Sequence, residues 1–302
     1  MRVGLTGASG LIGRATAAAL VERGDTVVTF TRPSGGAATG EAIRWDPSNG
    51  RLDEDDLRRV GGLDAIVNLA GAGIGDHRWS TQRKTLIRQS RLTSTSLLVE
   101  VVRSLPSGVG VLASGSAIGY YGSRANEILD ETSTAGDDFL ADVCRAWEEA
   151  AQPASDQGTV VTLLRTGIVM SAGGGALKRQ LPLFKAGLGG LLGDGNQWIS
   201  PIALADEVRA IMRLIDRPIA GPVNLTGPQP VTNREFTRTL ARALHRPAVL
   251  RVPAVALSVA LGPELAHGAV LASQRVLPTR LSELGFHFTC PSTSEILTAA
   301  LR

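Results

Sequence analysis

Near its start the chain reads Thr6-Gly7-Ala8-Ser9-Gly10-Leu11-Ile12-Gly13, the spacing of a phosphate-cradling loop. Gly7 permits a tight turn. Gly10 lets the backbone approach a pyrophosphate with no Cβ in the way, and Gly13 lets a helix pack closely on a strand. The helix that begins here would present free N–H groups to an anion. Gly7, Ser9, Gly10, Leu11, Ile12 and Gly13 are therefore expected to contact a dinucleotide.

Other residues decide which dinucleotide and what chemistry. The second apolar run ends Phe30-Thr31-Arg32-Pro33, with no carboxylate to take the ribose 2′-hydroxyl of NAD. Thr31 and Arg32 suit the 2′-phosphate of NADP(H), because a guanidinium pairs well with phosphate. A solvated arginine at a strand end is the alternative. Asn68-Leu69-Ala70-Gly71 closes a later run, and small residues at Leu69, Ala70 and Gly71 would let the backbone approach the adenosine half. Arg78-Trp79 and Ser90-Arg91 follow. Arg78 and Arg91 suit an anionic group on a substrate, and Trp79 could stack on a base or sugar or fill a domain seam. Tyr120 and Tyr121 are the only tyrosines, adjacent in one turn, and no Tyr-x-x-x-Lys occurs. The histidines at 77, 245, 267 and 287 show no metal-ligand spacing, so no metal is expected.

These residues need elements to position them. Strands are expected at Val3–Leu5, Thr26–Phe30, Ala42–Trp45, Ala65–Leu69, Gly110–Ala113 and Val160–Leu164. Helices are expected at Arg14–Arg23, Ser94–Leu105 and Asp138–Ala151. Short apolar runs separated by helices imply an α/β fold with a doubly wound parallel sheet of Rossmann type. After Arg165 glycine-rich loops appear, then a helix Leu204–Ile215, a strand Pro222–Leu225 and an amphipathic helix Asn233–Leu244. The expected division is a dinucleotide-binding domain over 1–165 and a smaller α+β substrate domain over 166–302, packed as one body.

Composition narrows the class. At 302 residues, 43% of them apolar and with mean hydropathy +0.10, the chain can bury a substantial core. No apolar run approaches a membrane span, and the N-terminus enters a strand with no signal-peptide layout. Cys144 and Cys290 form no motif, which fits reduced thiols and a cytoplasmic location. The net charge of +3 is scattered and mostly arginine, without the basic cluster and interleaved aromatics of a nucleic-acid binder. The expected partner is a small-molecule substrate. A homodimer is left open.

The glycine loop, Asn68-Leu69-Ala70-Gly71 and Ser114-Gly115-Ser116-Ala117-Ile118-Gly119-Tyr120-Tyr121-Gly122 resemble the extended branch of the short-chain dehydrogenase/reductases, the sugar-nucleotide-epimerase-like enzymes. A narrower resemblance is to the atypical YfcH-type epimerase family. It rests on Arg78-Trp79, Ser90-Arg91, Trp147-Glu148, Leu164–Gly167, Val231–Phe236 and Gln274–Leu281, and it spans essentially the whole chain.

The resemblance implies hydride chemistry, with Ser116 seated beside the nicotinamide and Ser114 its neighbour. Tyr120 would then offer a phenol to the site. A serine satisfying backbone groups at a strand end is the alternative for Ser116. The superfamily's usual acid/base pair would fall on Leu140 and Cys144, which cannot do that work. Ala203 stands where a substrate-facing histidine would be expected, and Asp206 reads as a helix cap. Two readings follow. One is an NADP(H)-dependent epimerase or reductase acting on a polar carbonyl or hydroxyl compound, such as a nucleotide sugar. The other is an NADPH-binding regulatory or scaffold protein with little turnover.

Overall fold

The computed structural model describes residues 1–32 and 41–302. Pro33, quoted above with Arg32, lies outside the described residues. The central sheet begins with β1 (Arg2–Thr6), β2 (Thr26–Thr31), β3 (Glu41–Asp46), β4 (Arg51–Leu52), β5 (Ala65–Asn68) and β6 (Val111–Ala117). It is completed by the strands Val160–Thr166 and Gly221–Leu225. Across the sheet the order is Gly221–Leu225, Val160–Thr166, β6, β5, β1, β2, β3, β4. All neighbours run parallel except β4, which is antiparallel to β3. The order reverses between β1 and β5, where Leu5 faces Val67 and Thr6 faces Asn68. A sheet of this kind opens a binding crevice at the carboxyl ends of its strands beside that reversal.

Both faces of the sheet are covered, as near-continuous apolar strands require. Ile66 and Leu112 turn toward one core with Leu97, Leu98 and Val101. Their chain neighbours Ala65, Val67, Val111 and Ala113 turn toward another with Leu20, Ala210, Ile211 and Leu214. The two-residue period of a strand thus divides one run between two helical layers. The layers are built from α1 (Leu11–Glu22), α2 (Glu54–Val60), α3 (Thr81–Ser104), α4 (Phe139–Ala151) and α6 (Leu204–Asp216), while α5 (Gly175–Lys185) packs in a separate core with Met170, Phe236 and Ile296.

Several elements differ from the sequence expectation for identifiable reasons. Helix α3 starts at Thr81, well before Ser94, because the Ser80 side chain accepts from the Arg83 amide and caps it there. Its first turns are largely exposed, with only Ile87 buried before Ser94, so no apolar period marks them. The strand at Gly221–Leu225 joins the central sheet beside Val160–Thr166, so that sheet draws on residues beyond 165. Asp206 does not cap its own helix. Its carboxylate accepts from the backbone amides of Thr289 and Cys290 and ties down the C-terminal segment. Helix α6 is preceded by Ala203 at its N-cap position and so has no side-chain cap.

The rest of the chain adds α7 (Asn233–Ala243) and α8 (Ala254–Leu261), together with short two-stranded ladders. One ladder pairs Arg275–Val276 with Ile128–Leu129 and so stitches the C-terminal region to the loop after β6. Among the described residues no helix is long and apolar enough to cross a membrane.

Candidate functional site

The glycine loop sits at the carboxyl end of β1, against the end of β5. Gly7 has φ +66°, and a Cβ there would lie 2.6 Å from the Leu69 carbonyl oxygen. A Cβ on Gly13 would collide with the Gly7 carbonyl. Gly7 thus needs glycine for its turn, as the spacing implies, and Gly13 needs it because the helix start lies against the backbone of the loop itself. Helix α1 then starts at Gly10 with no side-chain cap and no acidic residue in its first turn. Its N-terminal amides are left for an anion. These features fit a dinucleotide pyrophosphate at the loop.

A buried polar network fixes the floor of this crevice. Thr6 Oγ1 donates to Asn68 Oδ1 at 2.8 Å and accepts from the Leu69 and Ala70 amides at 3.0 and 3.1 Å. Asn68 Nδ2 donates to Thr95 Oγ1 at 2.9 Å and to Ser114 Oγ at 3.4 Å. The Trp147 indole N–H also reaches Thr95 Oγ1, at 3.0 Å. The structure therefore brings Gly7, Leu69 and Ala70 together and places Ser114, fully buried, beneath them. Gly71 is exposed at the crevice, and Thr31 ends β2 with exposed Arg32 just after it.

Further along the sheet edge lies a second buried network. Ser116, near the end of β6, donates from Oγ to Glu148 Oε1 at 2.6 Å. Arg165 grips the same carboxylate with two nitrogens, Nε to Oε1 at 2.8 Å and Nη2 to Oε2 at 2.9 Å. Arg165 Nη1 donates to the Tyr121 hydroxyl at 3.1 Å, and that hydroxyl donates to Asn224 Oδ1 at 2.7 Å. Burial opposes the Arg165 charge, but its bonds to Glu148 and Tyr121 outweigh it and raise its pKa. Burial likewise pushes the Tyr121 phenol up to about 12, so Tyr121 serves as a core hydrogen-bond link. Tyr120 is half-buried, and its ring stacks against the Arg165 guanidinium at 3.4 Å.

Glu148 lies one helical turn beyond Cys144 and two beyond Leu140, on one face of α4. Burial, followed by the Glu148 charge, pushes the Cys144 thiol up to about 12 and makes it an inert neighbour of the site. Sequence reasoning assigned no role to Glu148 or Arg165, although both lie in strings that carried the resemblance. It also missed Gln274, whose side-chain amide donates to the Ile118 and Gly122 carbonyls and holds the Tyr-Tyr turn.

The three expected substrate contacts separate. Arg78 is exposed and donates to the Val259 and Ala260 carbonyls at 2.6 and 3.1 Å, at the end of α8. Trp79 donates to the Ile74 carbonyl at 2.8 Å and packs edge-on against Phe139 at 5.1 Å. Arg91 turns toward the crevice, stacked over Trp147 at 4.9 Å. A Cβ on Gly71 would lie 3.1 Å from its Cζ.

Residues 3–226 match the family model described as the NAD dependent epimerase/dehydratase family. The chain belongs to that family. Within it, the chain is 44% identical to Epimerase family protein Mb2239 of Mycobacterium bovis, over 98% of this chain and 96% of that one. It is 37% identical to the chloroplastic Epimerase family protein SDR39U1 homolog of Arabidopsis thaliana, over 100% of this chain and 87% of the relative. The structure of human epimerase family protein SDR39U1 (isoform2) with NADPH superposes with a TM-score of 0.89 at 30% identity, covering 99% of each chain. Residues 252–300 match a second model, a domain of unknown function (DUF1731). In this family member that region contains α8 and Gln274, which bind back on Arg78 and on the turn after β6.

Proposed function

We propose that this epimerase-family protein binds NADP(H) and is an oxidoreductase acting on a hydroxyl or carbonyl group of a polar small molecule. The NADPH of the human relative, the uncapped α1 and Arg32 at the end of β2 support that cofactor. Bound there, it would supply or remove a hydride. The observation that carries the catalytic reading is the 2.6 Å bond from Ser116 to Glu148 at the carboxyl end of the sheet. The single Ser116 hydrogen points to a carboxylate, which leaves the Ser116 oxygen to accept from a substrate hydroxyl. A proton can then move in two linked steps. The substrate O–H gives its hydrogen to Ser116 Oγ, and Ser116 gives its own to Glu148 Oε1. Ser116 is unchanged, the substrate oxygen has lost a proton and Glu148 has gained one. The reverse sequence protonates an alkoxide. Tyr120, on the Arg165 guanidinium, flanks the same turn.

A second reading has its own support. Leu140 and Cys144 occupy the face of α4 where the superfamily's tyrosine and lysine are expected, which favours an NADPH-binding regulatory protein with little turnover. One experiment separates the two. Purified protein with NADPH is screened against nucleotide sugars, quinones and simple carbonyls, with Ser116→Ala and Tyr120→Phe alongside. Saturable turnover lost in Ser116→Ala supports the enzyme. NADPH binding with no turnover above background across the panel supports the regulator.

A further inference from the structure

Arg91 is a half-buried cation with an incomplete set of partners. Its Nη1 donates to the Ala72 and Ile87 carbonyls at 3.0 and 2.9 Å, both neutral acceptors. Nε and Nη2 find no acceptor among the described residues, yet neither is sealed away from solvent. Among the described residues no carboxylate pairs with it, and burial pulls the Arg91 pKa down. Desolvating a guanidinium without a counter-charge is costly, and its two open donors are placed to be completed by the oxygens of a bound ligand.

Its surroundings show where that ligand lies. The guanidinium is stacked on Trp147 and lies against Gly71, at the mouth of the crevice that the glycine loop opens. Trp147 in turn packs on Gly115, where a Cβ would come within 2.8 Å of the indole. Cys144, the position on α4 where a lysine is expected, feels the charges of both Arg91 and Glu148. Helix α3 therefore delivers a cation to the side of α4 that carries Cys144 and Trp147, where the expected lysine is missing.

We infer that Arg91 holds the nicotinamide-ribose half of the dinucleotide, through hydroxyl or phosphate oxygens, and is not a substrate-binding residue. This rests on the NADP(H) reading above but not on turnover. The ligand oxygens would take the free Nε and Nη2 donors, and charge-assisted bonds of this kind are the strong ones. A cation here also favours the neutral reduced ring over the positively charged oxidised one.

The test compares affinities for NADPH, NADP+ and 2′,5′-ADP, which lacks the nicotinamide half, in wild type, Arg91→Met and Arg91→Lys. In Arg91→Met, NADPH affinity is expected to fall about tenfold or more. NADP+ affinity should fall less, and 2′,5′-ADP affinity should hold. Arg91→Lys should recover part of the loss. Unchanged NADPH affinity in Arg91→Met overturns the inference. So does a parallel loss for NADPH and 2′,5′-ADP in both variants, which marks Arg91 as a structural prop of the β5 end. Wild type that binds none of the three removes the cofactor reading itself, and the inference with it. Absent turnover on every carbonyl probe leaves these affinities readable and bears only on the catalytic reading.

Discussion

Ser116 and Glu148 join the carboxyl end of β6 to the third turn of α4 through a 2.6 Å hydrogen bond, and Arg165 closes the same carboxylate from the neighbouring strand. Glu148 and Arg165 are 7% and 3% exposed, so their mutual attraction is little screened. Removing one partner would leave the other charge buried and alone. Glu148→Ala should therefore cost about 3–5 kcal/mol. The loss would appear in urea unfolding as a lower midpoint at an unchanged slope. Glu148→Leu combined with Arg165→Met should regain most of it, since an apolar pair of similar volume is often neutral or stabilising. A double variant as unstable as the single would show that the loss does not come from the stranded charge.

How much of this was legible follows from sequence distance. The glycine loop is read from adjacent residues because its chemistry is local, and Gly7 and Gly13 are each held to glycine by a neighbouring carbonyl. Glu148 and Arg165 meet only after α4 packs on β6 and the strand Val160–Thr166, so neither local period nor spacing signals their pairing. Asp206 reads as a cap because it opens a helix, and its true partners, Thr289 and Cys290, arrive from the far end of the chain. Arg78 and Arg91 look equivalent as sequence. The fold gives one to a helix end and turns the other toward the crevice.

Arg32 follows the last residue of β2, where a ribose 2′-substituent is expected, and is exposed. Arg32→Asp exchanges a phosphate-pairing fork for a ribose-pairing carboxylate. The ratio of NADPH to NADH affinity should fall about tenfold or more, the worth of one charge-assisted pair. Titration of each dinucleotide by protein fluorescence measures it. An unchanged ratio would remove Arg32 from 2′-phosphate recognition.

Glu207 is fully buried in the first turn of α6, where Thr166 Oγ1 donates to its Oε1 at 2.8 Å and Oε2 has no hydrogen-bond partner among the described residues. Burial raises its pKa from 4.5 to about 8, against a smaller opposing effect of the Thr166 bond. The folded protein thus holds a proton that the unfolded chain gives up near pH 4.5. Glu207 contributes its full stability below that pH, and the contribution is lost as pH rises through about 8. Unfolding free energies measured across this range should decline with pH in wild type and decline less in Glu207→Gln. Parallel curves for the two proteins would show that Glu207 is not the titrating group.

Arg78 donates to the last carbonyls of α8 in the manner of a C-terminal cap, where a cation is favoured. The helix depends on such end contacts, because only Leu257 of its residues is buried while Val255 and Val259 are 75% and 70% exposed. Lys84 adds a 2.7 Å pair with Glu264 just beyond it. Arg78→Met should therefore loosen α8 locally by a few tenths to about 1 kcal/mol. Backbone amides of 254–261 would exchange with solvent about two- to fivefold faster. NADPH affinity should stay at the wild-type value, in contrast to Arg91→Met. Hydrogen exchange and a dinucleotide titration on the same sample decide between a helix anchor and a ligand contact. Unmoved exchange in α8 with a collapsed affinity for NADPH or for a turnover substrate would make Arg78 a binding residue instead.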